Sequence, residues 1–597
     1  SHSGENELGS QSPFSGTFRQ KLNIRQAEAV QASDRAIAVT AGPGSGKTST
    51  LIFHIVYLIE HRKVRPSEIT AVTFTNQAAA EMKERLHSYF GKGKSLKNLQ
   101  IGTFHSICSR LLKEAGFEVT LVDETETYGI AKDLRKLYHL SEKPKDILLA
   151  ISLWKNGVQT EKNKWEPVCK SYQERLEADG VMDFDDLLVK VLEDQDLLDQ
   201  FRKRFSYLCV DEFQDNSPLQ QKLIKAWNEG GRELFVIGDA DQSIYGFRGS
   251  DAHCFEKLKK DNPKLREIVL GENYRSQEGI LKLAEAVISE NPGQRSKLIA
   301  HHETEFPVRL VKAKSELAEG IFIAKEINRL AGGIGMLEAE EVFIQAQGKK
   351  SRSFNEIAIL YRTHHQARIL ETCLKKEGIP YVVAGREEFL SEDKVRGTIA
   401  FFRSLVSEND TDKKQCLSLL WDLKENEVSE AVYDTMADQF RPLMKKKKPA
   451  ELLETWMKEM KLEENKELQK FKEMTFFYRH MEEFLEALKL GVESDLRRCG
   501  QKTYRGDAVT LMTLHGSKGL EFPVTILFGV KKGMIPFESE THPSDKEEER
   551  RLFYVGLTRA KEELILTTSE EPSEFLEHLP KDPVSYTHLT LPTKLEV

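Results

Sequence analysis

The sequence predicts an α/β protein: two blocks of parallel sheet flanked by helices, each interrupted by a helical insertion. Three observations predict it. Apolar runs of four to six residues alternate with longer helical patterns along most of the chain, which is the signature of strands joined by crossover helices. Two long stretches, Arg110 to Gly180 and about Phe389 to Tyr504, are charged and helical with no strand pattern. Several apolar runs end abruptly in Gly-rich or acidic turns, where an open parallel sheet carries its ligand-binding loops.

The elements follow in order. Ala36 to Val39 reads as a strand buried on both faces. The eight residues after Thr40, Ala41 to Thr48 (AGPGSGKT), form a Gly-rich loop, and Leu51 to Ile59 reads as a helix. Strand, loop and helix together make a phosphate cradle. Gly42, Gly44 and Gly46 let successive backbone N–H groups turn toward anionic oxygens, and the helix adds its positive N-terminal end. Lys47 can reach terminal phosphates as a point charge, and Thr48 can ligate Mg²⁺. Ala41 stands where the strict pattern has Gly, a position that needs a small residue more than a positive φ.

Further strands are expected at Ile69 to Phe74, Tyr207 to Val210 and Leu234 to Ile237. The second block starts near Pro307, with strands at Val308 to Val311, Ile357 to Tyr361, Val509 to Met512, Val524 to Phe528 and Leu564 to Thr568. Tyr207 to Val210 runs into Asp211-Glu212. An acidic pair at a strand's end is the expected partner of the phosphate loop: Asp211 to hold Mg²⁺ through its water shell and Glu212 to deprotonate an attacking water. Gln242, after the Gly238-Asp239 turn, is placed to sense a γ-phosphate. Phosphoryl transfer also needs positive charge as the transition state forms, and Arg275 and Arg559 are candidates for it.

Bulk properties bound the class. At 597 residues, 39% hydrophobic and 30% charged, the chain has the composition of a soluble multidomain protein. It has no run of eighteen apolar residues to span a membrane. Seven scattered cysteines without a CxxC pair argue against a disulfide framework or a metal cluster, and fit a reducing cytoplasm. A net charge of −8 argues against a protein that coats nucleic acid nonspecifically, while leaving room for a local basic channel. The polar residues 1–20 are expected to be a disordered lead or cloning remnant. The residues from Val584 to Val597 (VSYTHLTLPTKLEV) fit no element, resemble a translated cloning tail and are expected to be non-native or disordered. The run Lys445 to Lys448 reads as a solvated helix end or loop, with phosphate contact as the alternative.

The ordered series QAEAV, AGPGSGKT, TFTNQAAAEM, GTFHS, MDFDDLL, DEFQD, GDADQSIYGFRGSD, ENYRS, LYRT, TLHGSKGLEF and RRLFYVGLTRAK resembles the UvrD/Rep/PcrA-like helicases of superfamily 1, from about Leu22 to Pro580. The resemblance implies two RecA-like P-loop NTPase domains with ATP in the cleft between them. The first would comprise 21–108 and 183–280 with 109–182 as its insertion; the second would comprise 281–389 and 505–583 with 390–504 as its insertion. Carried over by position, Gln26 would recognise adenine and Tyr274 would stack on it. Gly42, Gly44, Ser45, Gly46, Lys47, Thr48 and Ser49 would hold the phosphates, with Thr48 and Asp211 on Mg²⁺ and Glu212 as base. Gln242 would couple the γ-phosphate to DNA, Glu521 would bind the ribose, and Arg275 and Arg559 would stabilise the transferring phosphoryl group. Phe74, Asn76, Phe104, His105, Tyr245, Phe247, Arg248 and His515 would line the path of a single strand, with Lys518 in the same coupling segment. Aromatic faces suit that role because they stack bases without reading sequence.

The implied activity is a cytoplasmic ATP-dependent DNA helicase moving 3′ to 5′ on single strands in DNA repair, replication or recombination. It would act at single-strand/duplex junctions, as a monomer or weak dimer, with repair proteins as partners. Two alternatives stand beside it: a translocase that mainly strips proteins from DNA, and an ATP-sensing subunit of a repair complex. Several positions depart from the family pattern. Gln77 replaces a Lys, Ser49 an Arg, Phe213 a Tyr and Phe247 a Trp. Gly556 replaces an Ala, where added backbone freedom is expected to loosen the helix before Arg559. Both insertions look short for the family, which makes strand separation less secure than ATP hydrolysis.

Overall fold

The computed structural model describes residues 22–91, 96–122, 124–158, 161–332, 351–384, 392–407, 410–421, 427–476, 478–490, 507–539, 545–582 and 584–589. The lead at 1–20 lies outside them. The chain divides into two compact units. The first comprises the described residues up to Phe74, Met82–Ala240 and Arg248–Gly271; the second comprises Thr75–Glu81, Asp241–Phe247 and the chain from Glu272 onward.

The first unit carries a six-stranded parallel sheet. Its strands are β1 (Ala36–Ala41), β2 (Ile69–Val72), β3 (Gln100–Gly102), β4 (Tyr207–Val210), β5 (Glu233–Gly238) and β6 (Arg266–Leu270), in the order β3-β2-β4-β5-β1-β6. The pairing of Val39 with Ile237 and of Val210 with Val236 brings the carboxyl ends of β1, β4 and β5 together, so the loops after them share one rim of the sheet. Helices Glu124–Leu137, Pro144–Lys155 and Lys162–Ala178 form the insertion. Ile130, Leu134, Ile147, Ile151, Val168 and Leu176 give it an apolar core of its own.

The second unit carries seven parallel strands: β9 (Val308–Ala313), β10 (Ile357–Tyr361), β11 (Tyr381–Val383), β12 (Val509–Thr513), β13 (Phe522–Leu527), β14 (Ala560–Ser569) and β15 (Val584–His588), ordered β11-β12-β10-β13-β14-β9-β15. A two-stranded parallel ribbon, β7 (Glu272–Gln277) and β8 (Ile299–His302), precedes them. The described residues of 390–504 that form regular structure are helical. Phe401, Phe402, Phe440 and Trp456 pack at their centre, with Phe401 stacked on Trp456 at 4.2 Å.

The nine expected strands are present with ends shifted by at most two residues, except β14, which starts four residues earlier at Ala560. Two expectations are corrected. The tail is not wholly without structure: Val584–His588 pairs in parallel with β9. An edge strand leaves a row of backbone groups to satisfy, and a short β-prone run meets that need. The boundary between the blocks lies at Gly271/Glu272 rather than at 280, because β7 pairs with β8 of the second unit. Among the described residues no helix is long and apolar enough to cross a membrane.

Candidate functional site

In the first unit the phosphate loop leaves the end of β1 and opens the helix Lys47–Glu60. Gly44 and Gly46 have φ of 63° and 78°, a backbone state that L side chains rarely adopt. A Cβ on Gly46 would also sit 2.7 Å from Gln26 Nε2. The Ser45 hydroxyl donates to Gly42 O at 2.6 Å and closes the loop on itself. Thr48 is exposed at the helix start.

Lys47 Nζ lies 2.5 Å from Glu212 Oε1 and 3.4 Å from Asp211 Oδ1. Burial works against the ammonium, but Asp211 and then Glu212 outweigh it and hold the Lys47 pKa well above the ordinary lysine value. Asp211 moves the same way for a different reason: burial, aided by the Glu212 charge, raises its pKa against the pull of Lys47. Glu212 has a φ of 50°, uncommon for a residue with a side chain and costly in proportion. Its other oxygen accepts from Gln214 Nε2 at 2.6 Å, and Gln214 Oε1 accepts Asp239 N at 2.9 Å. Buried Gln214 therefore ties the acidic pair to the turn after β5, and a Cβ on Gly238 would run into Gln214 Oε1. Sequence reading passed over Gln214; its place two residues after the acidic pair was the available signal.

Gln26 is held close to this loop. Its Nε2 donates to Ser45 O at 2.8 Å, and its Oε1 accepts Asn23 N at 3.0 Å in a helix capping box. In this structure the carboxamide braces the loop. At Ser49, a guanidinium from elsewhere in the chain occupies the region: Arg85 Nη2 donates to Ser49 Oγ at 2.9 Å. The hard oxygen donors of Thr48 and Asp211 suit Mg²⁺, and the acidic pair already holds a cation, the Lys47 ammonium. Among the described residues no group of three or more His, Cys, Asp or Glu could hold a metal ion by itself.

The second unit gathers a second set. Arg275 Nε lies 2.9 Å from Glu521 Oε2, and Arg275 Nη1 donates to Thr558 O at 3.0 Å. Arg559 is buried at 1% exposure. It donates to Val555 O, Leu520 O and Thr558 Oγ1. The two arginines thus converge on Thr558. Burial opposes ionisation of Glu521, but Arg275 and Lys561 prevail and lower its pKa. Tyr274 stacks on His301 with centroids 4.3 Å apart and is 39% exposed.

The strand-path residues sort by burial. Phe247 is 47% exposed and meets His515 edge-on at 5.4 Å. Tyr245 is buried beneath them and packs against both, with Lys518 Nζ 5.2 Å above its ring, so its face is not open for a base to stack on. Phe74, Asn76, His105 and Arg248 are half-buried. His105 meets Phe184 edge-on, and burial lowers its imidazole pKa to about 4 against the pull of Asp183. Phe104 is a core residue here: it is 5% exposed and stacks on Trp227. The side chain at Gln77 is buried and donates to Glu81 at 3.2 Å.

Gly556 sits where its helix is closely packed. A Cβ there would lie 2.5 Å from Leu514 Cδ2, so the missing side chain lets the helix Lys546–Leu557 pack closely against the segment carrying His515.

A phosphate loop and acidic pair on one parallel sheet, with an arginine pair on a second, define a P-loop NTPase of the two-sheet type. Residues 22–263 match the UvrD/REP helicase N-terminal domain, and 268–420 and 419–571 match the UvrD-like helicase C-terminal domain. The chain belongs to the UvrD-like helicase family and is an ATP-hydrolysing DNA helicase. It is 31% identical to the ATP-dependent DNA helicase PcrA of Bacillus subtilis, over 92% of this chain and 83% of that protein. It is 28% identical to the PcrA proteins of Staphylococcus epidermidis and Staphylococcus aureus, over 94% of this chain and 86% of each relative.

Proposed function

We propose that this chain translocates 3′ to 5′ on single-stranded DNA and unwinds duplex ahead of it, in repair, replication or recombination in the cytoplasm. The observation that carries the chemistry is Lys47 held between Asp211 and Glu212 at the ends of β1 and β4. ATP is the substrate. Its phosphates lie along the N–H groups of Gly44 to Ser49, with Lys47 on the terminal oxygens. Thr48 and Asp211 would hold Mg²⁺, which supplies charge neutralisation at the phosphoryl oxygens.

Glu212, fixed by Gln214, orients a water and takes its proton as the oxygen attacks the γ-phosphorus. The bond to the β-phosphate oxygen breaks and ADP leaves with that electron pair. Arg275 and Arg559 contribute positive charge to the transferring group, and Tyr274 stacks on the base with Glu521 at the ribose. The strand binds along Phe247 and His515, with Tyr245 packed beneath them.

The test is ATP turnover with and without single-stranded DNA, for wild type and Lys47→Ala, followed by a directional assay on strands tailed at either end. Stimulation by DNA that is lost in the variant supports the motor. Turnover indifferent to DNA rejects it in favour of an ATP-sensing subunit, and movement from 5′ to 3′ rejects the polarity.

A further inference from the structure

The segment Asp241–Phe247 follows β5 in the chain, yet it belongs to the second unit. Four side chains of that unit grip it. Arg295 makes a two-pronged ion pair with Asp241, with Nε to Oδ2 and Nη2 to Oδ1 both at 2.8 Å. Lys518 Nζ donates to Gln242 O at 2.8 Å, and Arg551 Nε donates to Ser243 O at 2.7 Å. Glu548 accepts the Gly246 N–H at 3.0 Å. Gln242 is therefore bracketed on both sides by backbone or carboxylate anchors.

Three of these anchors trace to one helix, Lys546–Leu557. Glu548 and Arg551 lie on it directly. Arg295 reaches it through its loop: Arg295 Nη1 donates to Asn291 O, Asn291 Nδ2 donates to Glu547 O, and Arg550 Nη1 donates to Asn291 Oδ1. The same helix ends at Leu557, directly before Thr558, where Arg275 and Arg559 converge. About 9 Å of helix runs from Arg551 to its end at Leu557, two residues before Arg559. The candidate γ-phosphate sensor and the arginine pair thus hang on one rod, and the exposed Phe247 lies at the far end of the gripped segment.

We infer that Arg295, through its fork to Asp241, is a positioning residue that makes DNA occupancy at Phe247 felt at Gln242. A two-pronged guanidinium–carboxylate pair fixes direction as well as distance, which a single contact does not. With the segment anchored at 241, 243 and 246, a strand stacking on Phe247 shifts Gln242 as part of the same piece. With the Arg295 fork cut, the segment loses the anchor that fixes its direction at Asp241, although Lys518 still holds Gln242 O, and the shift is weakened. This inference rests on the proposed DNA-stimulated hydrolysis.

The experiment measures ATP turnover of the full chain with and without oligo-dT, with melting temperatures in parallel. Arg295→Ala is expected to lower the stimulated rate about tenfold, with basal rate and KM for ATP within about twofold of wild type. Arg295→Lys, which keeps charge but not the fork, should fall between. The charge-reversed pair Arg295→Asp with Asp241→Arg should recover stimulation that each single change loses. An unchanged ratio of stimulated to basal rate in Arg295→Ala overturns the inference, as does a reversed pair no better than its parents. Should Arg295→Ala melt early, Asp241→Asn decides by the same ratio. A wild type without stimulation removes the functional reading first and is visible in its own arm.

Discussion

Lys47 and Glu212 are where charge and chemistry meet most tightly. Lys47→Ala is expected to abolish turnover, since it removes the cation facing the acidic pair and leaves Asp211 buried beside Glu212 with no counter-charge. Glu212→Gln keeps shape and should cut turnover at least a hundredfold while nucleotide still binds. Retained hydrolysis in that variant would take the base role from Glu212. His105 makes a pH prediction. Its folded pKa of about 4 lies below the unfolded value of about 6.5, so the unfolded chain binds more protons between those values. Stability should therefore fall as pH drops from 6.5 to 4, by about 3 kcal/mol at most, and level off below. His105→Gln should flatten the slope of denaturation midpoint against pH; an unchanged slope would assign it to other groups. That Lys47 and the Asp211-Glu212 pair belong to one site was legible because each motif is contiguous. The bracing of the loop by Gln26 and the core place of Phe104 were not, because the Ser45 carbonyl and the Trp227 ring they meet lie far along the chain.

At the scale of elements, close packing decides two outcomes. Gly556→Ala would gain about 1 kcal/mol in helix propensity but must push Leu514, itself buried, out of contact. Overpacking costs about 1–3 kcal/mol, so the variant should melt lower than wild type. A higher melting temperature would show that Leu514 moves freely. The first insertion is pinned by Lys155, whose ammonium is shared by Asp183 at 2.7 Å and Asp186 at 2.9 Å. Lys155→Met should destabilise by about 3 kcal/mol by stranding the buried Asp186 and the half-buried Asp183, measurable by urea denaturation. A loss under 1 kcal/mol would mean that water reaches the pair. Long apolar strands such as β1 and β10 were readable from the sequence because both their faces are buried. Short edge elements such as β3, β8 and β15 were not, since a sheet neighbour selects them rather than their own pattern.

For the whole molecule the open question is what the motor does with its step. Displacement of a bound protein from single-stranded DNA and unwinding of a tailed duplex should both occur, and both should require a 3′ tail. Efficient displacement with little unwinding would favour the protein-stripping alternative. Binding should weaken steeply with salt despite the net charge of −8, because phosphate contacts release counterions locally whatever the total charge. Contiguous stretches of sequence determined the α/β class, the phosphate loop, the acidic pair and the family, because strand, loop and helix that hold a phosphate must follow one another along the chain. Tertiary structure alone decided that Arg275 and Arg559 converge on Thr558, that Arg85 reaches Ser49, and that Asp241–Phe247 is gripped by Arg295, Glu548 and Arg551. Apart from the bond of Arg559 to its neighbour Thr558, those contacts join residues tens to hundreds of positions apart, and only the packing of helices on a sheet brings such pairs within hydrogen-bond reach.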